Sequence, residues 1–172
     1  IANCRPESLT LLDQSEYGLF QLERELNQTH PSLAVRPVLA DVTRCRAIRR
    51  IYRAERPDVV YHAAAYKHVG MLEGAVCTAV QANVLGSYYA GRAARECGSR
   101  FVLVSTDKAF WPNSVMGASK RLAELLTLSL TRDGFEPAVA RFGNVLGSSG
   151  SVVEIILDRI ARGDPISITH PD

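Results

Sequence analysis

Short runs of β-branched and apolar residues, each followed by a stretch with helical apolar spacing, recur along this chain, and that alternation restricts its fold more than any other feature. Ser8 to Asp13 reads as a strand ending in an acid, and Ser15 as the N-cap of a helix that carries Leu19, Leu22 and Leu26 on one face. Leu33 to Asp41 repeats the strand signal, Thr43 caps an arginine-rich helix, and Pro57 ends that helix before the strand Asp58 to His62. A long helical region follows from about Met71 to Cys97, then a strand at Phe101 to Ser105. A helix from Ser114 to Thr131 places Ala118, Leu122, Leu125 and Leu126 at helical spacing. A strand at Ala138 to Arg141, a helix from about Ser151 to Arg162 and a short strand at Ile166 to Thr169 complete the pattern. Repeated β–α units with connections of ordinary length predict an α/β fold, a Rossmann-like doubly wound parallel sheet. At 172 residues the chain has the length of a single domain, 1–172, with a sizeable core.

A sheet of that kind normally opens with a strand, a glycine-rich turn and a helix, whereas this chain begins at Ile1 with what reads as the tail of that helix. The strand order 3-2-1-4-5-6 then puts the absent strand in the middle of the sheet, between the strands ending at Asp13 and at His62. The expectation is a domain fragment with an unfilled sheet centre and without its phosphate-binding glycines.

Composition removes several classes of function. With 47% hydrophobic residues, 22% charged residues and a formal charge of +2, the chain resembles an ordinary globular domain and lacks the net charge of a nucleic-acid binder. Arg44, Arg46, Arg49, Arg50 and Arg53 do cluster, but on the polar face of a helix whose apolar face is Ala47, Ile48, Ile51 and Tyr52, which reads as a solvated surface. Cys4, Cys45, Cys77 and Cys97 are scattered, with no histidine at ligand spacing, so neither a metal site nor a disulfide framework is expected and the thiols read as cytosolic. No run of about 18 apolar residues and no secretory leader occurs, so membrane attachment is expected only through segments outside this chain.

The chemistry concentrates in Ser105-Thr106-Asp107-Lys108-Ala109 and, just beyond, Met116-Gly117-Ala118-Ser119-Lys120. Strand, loop and helix meet there, at the carboxyl end of a strand, where open parallel sheets bind ligands. A carboxyl kept protonated and an amine kept neutral, their pKa values moved toward each other by burial, would make Asp107 a general acid and Lys108 a general base; the alternative is a solvated ion pair. Asp13 sits where an acid accepts hydrogen bonds from ribose hydroxyls and repels a 2′-phosphate, or else it helps Ser15 cap the following helix. The small side chains of Ala63, Ala64 and Ala65 permit a flat ligand close to the backbone, or mark a tight packing point. Lys67 offers a cation suited to a diphosphate, with His68 beside it. Gly147 to Ser151 enters a helix through glycine and serine, an arrangement whose free N–H groups bind phosphate.

Four stretches together carry a family resemblance: Ser105-Thr106-Asp107-Lys108; Met116 with Lys120 four residues later; Arg141-Phe142-Gly143-Asn144-Val145-Leu146-Gly147-Ser148-Ser149-Gly150-Ser151-Val152-Val153; and Thr169-His170-Pro171-Asp172. From about Leu11 to its last residue the chain resembles the nucleotide-sugar dehydratases of the extended short-chain dehydrogenase/reductase superfamily. The closest likeness is to the UDP-N-acetylglucosamine 4,6-dehydratases of bacterial polysaccharide biosynthesis. The resemblance implies NAD as cofactor, contacted by Asp13, Asp41, Val42, Ala63, Ala64, Ala65 and Lys120. It implies a UDP-sugar substrate, contacted by Lys67, His68, Asn83, Arg141, Asn144 and Ser151. The implied reaction removes water across C5 and C6: hydride leaves C4 for NAD⁺, a base takes the C5 proton while an acid protonates the departing hydroxyl, and hydride returns to C6. Thr106, Asp107, Lys108, Met116 and Lys120 are then the catalytic set, with Thr106 on the sugar O4 and Lys120 on the nicotinamide ribose. The superfamily usually has tyrosine at Met116, and a thioether cannot accept the C4 hydroxyl proton; a subset of these dehydratases resembles this chain in having methionine there. A homo-oligomeric full-length enzyme is implied, located in the cytoplasm or as the cytoplasmic domain of an inner-membrane protein. A nucleotide-sugar epimerase or inverting dehydratase and a catalytically silent dinucleotide-binding module remain as alternatives.

Overall fold

The computed structural model describes residues 1–145 and 152–165. Residues Ile1–Arg141 form one compact unit and Phe142–Asp172 a second. A single 3₁₀ turn, Ala2–Cys4, precedes β1 (Ser8–Asp13) and α1 (Glu16–Thr29). Ser15 caps α1 as its sequence position predicts, its hydroxyl accepting the Gly18 N–H at 3.1 Å. After β2 (Ala34–Leu39) comes α2 (Cys45–Glu55), and here the expected cap fails. Arg44 holds the cap position, while Thr43 donates both its N–H and its hydroxyl to the Asp41 carboxylate, each at 2.8 Å. A carboxylate two residues upstream is the stronger acceptor, so Thr43 closes a local turn instead of receiving a helix N–H.

The strand β3 (Val59–His62) leads to the region expected as one long helix, which is divided into α3 (Val69–Glu73), α4 (Val76–Ala79), a π-helical stretch Val80–Leu85 and α5 (Gly86–Cys97). The π stretch surrounds Asn83, whose carbonyl receives the Ser87 hydroxyl at 2.6 Å. The chain continues through β4 (Arg100–Thr106), a 3₁₀ turn at Asp107–Ala109, α6 (Val115–Leu128) and β5 (Ala138–Phe142). In the second unit, α7 (Val152–Arg162) carries an Asp158–Arg162 ion pair one turn apart at 3.0 Å. The expected strand at 166–169 and the stretch 146–151 lie outside the described residues.

The strands form two sheets, β1–β2 and β3–β4–β5. The first is parallel from Ser8 opposite Ala34 to Asp13 opposite Leu39, and β3 runs parallel to β4 from Val59 opposite Arg100 to His62 opposite Leu103. Between them, Leu9 to Asp13 of β1 and Val59 to His62 of β3 line one cavity of about 590 Å³, together with Leu19, Ile48 and Tyr52. It lies where the expected strand order leaves the sheet centre unfilled. The core sits beside it: Ile48 and Tyr52 of α2, Ala90, Ala93 and Ala94 of α5, and Phe101 and Leu103 of β4 pack together, the alanines letting α5 approach closely. The arginines of α2 occupy its outer face, where Glu96 of α5 pairs with Arg49, Arg53 and Arg92 at 2.8–3.6 Å.

Candidate active site

The carboxyl ends of β1, β2 and β3 converge on a pocket of about 230 Å³, below the roughly 300–1,000 Å³ of a complete small-molecule site. Its walls bring together Asp13, Asp41, Val42, Ala64 and Ala65, from three segments 22 or more positions apart, with Thr43, Tyr66 and Gln81, which the sequence did not mark for the site. Ala63 lines the neighbouring cavity instead. Asp13 lines the pocket, and one of its carboxylate oxygens accepts the Ser15 N–H at 2.8 Å at the start of α1. A carboxylate beside an apolar wall of Val42 and alanines fits one nucleoside half of a dinucleotide.

Asn83 is fully buried, and its side chain is spent within the protein: it accepts the Tyr66 N–H at 2.8 Å and donates to the Tyr66 carbonyl and the Ser119 hydroxyl, each at 3.0 Å. This corrects the expectation of a substrate contact, because no donor or acceptor of a buried, paired amide is left facing a ligand. Asn83 ties the loop after β3 to α6. The network also fixes His62, since the Ser87 hydroxyl already donates to Asn83 and must therefore accept from His62 Nε2 at 3.1 Å. His62 is a neutral imidazole with its pKa pushed down to about 3, first by burial and then by the Lys120 charge. Lys67 and His68 are exposed on the loop that enters α3.

At the end of β4, Asp107 Oδ1 accepts the Thr106 hydroxyl at 2.9 Å, the Lys108 N–H at 2.8 Å and the Lys108 ammonium at 3.1 Å. Those hydrogen bonds, Thr106 foremost, hold the Asp107 carboxyl below its ordinary value, and 58% of its side chain is exposed. Burial therefore does not keep Asp107 protonated: Asp107 is an ionised, solvated partner of Lys108. The turn is held against α6 at Gly117, where a Cβ would lie 2.6 Å from the Lys108 carbonyl oxygen. Met116 is buried with Leu72 and Ala79, so its thioether fills a small apolar cluster.

Lys120 is 6% exposed and donates to the Val104 carbonyl at 2.6 Å; burial lowers its pKa to about 8 against the opposing effect of Glu124. Arg141, expected at the substrate, spends its guanidinium on Glu124, donating from Nε at 2.8 Å and from Nη2 at 2.6 Å. It also lies 5.7 Å from the Phe110 ring centroid. Asn144 is exposed after β5, and Ser151 falls outside the described residues.

Residues 1–172 match the family described as polysaccharide biosynthesis protein over their whole length. The chain belongs to that family. It is 39% identical over 171 residues to the capsular polysaccharide biosynthesis protein CapD of Staphylococcus aureus, covering 97% of this chain and 28% of CapD. It is 39% identical over 119 residues to the UDP-glucose 4-epimerase of Rickettsia canadensis, covering 66% of this chain and 35% of that enzyme. This member of the polysaccharide biosynthesis family thus spans only about a third of those relatives' length. Among solved structures, Pen from Bacillus thuringiensis superposes with a TM-score of 0.85 at 27% identity, over 98% of this chain and 52% of Pen. The dTDP-glucose 4,6-dehydratase DesIV from Streptomyces venezuelae, a double mutant with NAD and DAU bound, gives 0.74 at 21% identity over 91% and 53%. The fold is Rossmann-like.

Proposed function

We propose that the protein containing this chain is an NAD-dependent 4,6-dehydratase of UDP-N-acetylglucosamine that serves surface-polysaccharide synthesis. The observation that carries this reading is the Thr106-Asp107-Lys108 turn at the carboxyl end of β4, seated by Gly117 on the helix that carries Lys120. Membership of the polysaccharide biosynthesis family supports the pathway class, and the pocket at Asp13, Val42, Ala64 and Ala65 fits the adenosine half of NAD. When bound, the dinucleotide would supply hydride acceptance and return. The chain's own residues handle protons and orientation. A sugar laid over the turn strips water from the Asp107–Lys108 pair, and loss of solvent disfavours both charges, so the proton shared along this 3.1 Å contact passes to the carboxylate. Lys108 as a neutral amine then takes the C5 proton, and Asp107 as an acid protonates the departing C6 hydroxyl. Thr106, freed from Asp107, hydrogen-bonds the sugar at O4. Buried Met116 takes no proton, and Lys120, its pKa lowered by burial, is the residue of the set proposed to receive the C4 hydroxyl proton. Lys67, His68, Asn144 and Ser151 are proposed substrate contacts, and the complete enzyme is proposed to be a homo-oligomer. Among the described residues no helix is long and apolar enough to cross a membrane.

The full-length protein, given UDP-N-acetylglucosamine and NAD in deuterated water, should release a 4-keto-6-deoxy product with deuterium at C5. Asp107→Asn and Lys108→Ala should each lower turnover by about 10²–10⁴ while NAD stays bound, and Met116→Leu should leave most of it. The relationship to a UDP-glucose 4-epimerase makes C4 epimerisation the competing outcome. A 4-epimer without C5 exchange, or full activity in Asp107→Asn, overturns the proposal.

A further inference from the structure

Glu124 is the most deeply buried carboxylate among the described residues, 1% exposed on the third turn of α6. Its oxygens are saturated. Oε1 accepts from the Ser105 hydroxyl at 2.7 Å and from Arg141 Nε at 2.8 Å, and Oε2 from Arg141 Nη2 at 2.6 Å and Arg121 Nη1 at 3.0 Å. These bonds join β4, α6 and β5. One turn earlier on the same helix, Lys120 donates to the Val104 carbonyl, so Lys120 and Glu124 grip consecutive residues of β4 just ahead of Thr106-Asp107-Lys108.

We propose that Glu124 is a positioning residue: its carboxylate fixes the register of α6 on the end of β4, draws Arg141 onto the protein, and sets the charge that Lys120 experiences. An unpaired buried carboxylate would be strongly destabilising, and here four donors, three of them on the guanidinium groups of Arg121 and Arg141, keep it ionised; its pKa is lowered to about 2 because those bonds outweigh desolvation. That anion is the charge that works against the burial of the Lys120 ammonium. The other ionisable groups around α6 are accounted for. His62 of β3 is neutral, Arg121 and Arg141 are bound to Glu124 itself, Glu73 of α3 accepts the Val115 N–H at the helix start, and Asp107 and Lys108 pair with each other on the turn. The inference rests on the reading of Lys120 as a site lysine, but its test measures ionisation and needs no turnover.

In the full-length protein, the acetylation rate of Lys120 by acetic anhydride is followed across pH by mass spectrometry, with NAD absent. The midpoint should lie near 8 for the unaltered protein. Glu124→Gln removes the anion and leaves two cations, so the midpoint should fall by about one pH unit. Arg141→Gln, at a side chain a third exposed and so the milder change, should raise it, because more of the Glu124 field then reaches Lys120. A residue that only packed the helix would lower thermal stability in both variants without moving the midpoint in opposite directions. If the midpoint stays fixed in Arg141→Gln, or moves the same way in both, Glu124 does not set the charge on Lys120 and the inference is wrong. Loss of the dehydratase reading alone would leave these shifts intact.

Discussion

Gly117→Ala drives a methyl group against the Lys108 carbonyl oxygen. The built Cβ lies 2.6 Å from that oxygen and 3.3 Å from the Ser114 hydroxyl that caps α6. Ordinary contact begins near 3.4 Å, so the turn or the helix must yield by about 0.8 Å, and the obstacle is backbone, which cannot rotate away. Overpacking of this kind costs about 1–3 kcal/mol, and alanine in place of glycine in a helix returns roughly 1 kcal/mol. The net loss of stability is then about 0–2 kcal/mol, a fall of at most about 8 °C in Tm. Activity should suffer far more, because the displaced segment carries Asp107 and Lys108, and a shift approaching 1 Å in reacting groups costs on the order of 10²-fold in rate. Thermal unfolding and turnover of the full-length variant are compared with the unaltered protein. Undiminished turnover at unchanged Tm would refute the claim that the seat of this turn on α6 matters.

Two further outcomes follow from buried charge and from the nucleotide pocket. His62 has a folded pKa near 3 against 6.5 when exposed, so the unfolded chain binds more protons between those values and stability falls as pH drops through that window. The loss should reach about 2 kcal/mol by pH 5, before Glu124 begins to protonate, and urea unfolding of His62→Gln at pH 7 and 5 should show it gone; an unchanged difference would contradict the neutral buried imidazole. Asp13→Ala should narrow a preference of the complete protein for NAD over NADP measured by calorimetry, and equal affinities in the unaltered protein would remove Asp13 from the ribose.

Local sequence determined the elements whose stability is local. Ser8 to Asp13, the Ser15 cap, the helix after Ser114 and the strand before Thr106 follow from apolar period and capping chemistry, which act over a few residues. The resemblance carried by Thr106-Asp107-Lys108 and the Arg141 block pointed to the family, and strand order pointed to the space between β1 and β3 where the cavity lies. What only the tertiary structure decided were the pairings between distant residues. Thr43 lost its cap because Asp41 accepts more strongly, and the long helical region opened into a π stretch around Asn83. Asn83 and Arg141 turned from ligand contacts into internal ties because their partners, Tyr66, Ser119 and Glu124, lie 17 or more positions away. Asp107 is an ionised carboxylate because Thr106 and Lys108 hydrogen-bond it at an exposed strand end, and no pattern along a chain states how much solvent a side chain keeps. Burial and pairing are properties of the assembled fold, and in this protein they make Glu124, a residue no motif marked, the tie that joins β4, α6 and β5.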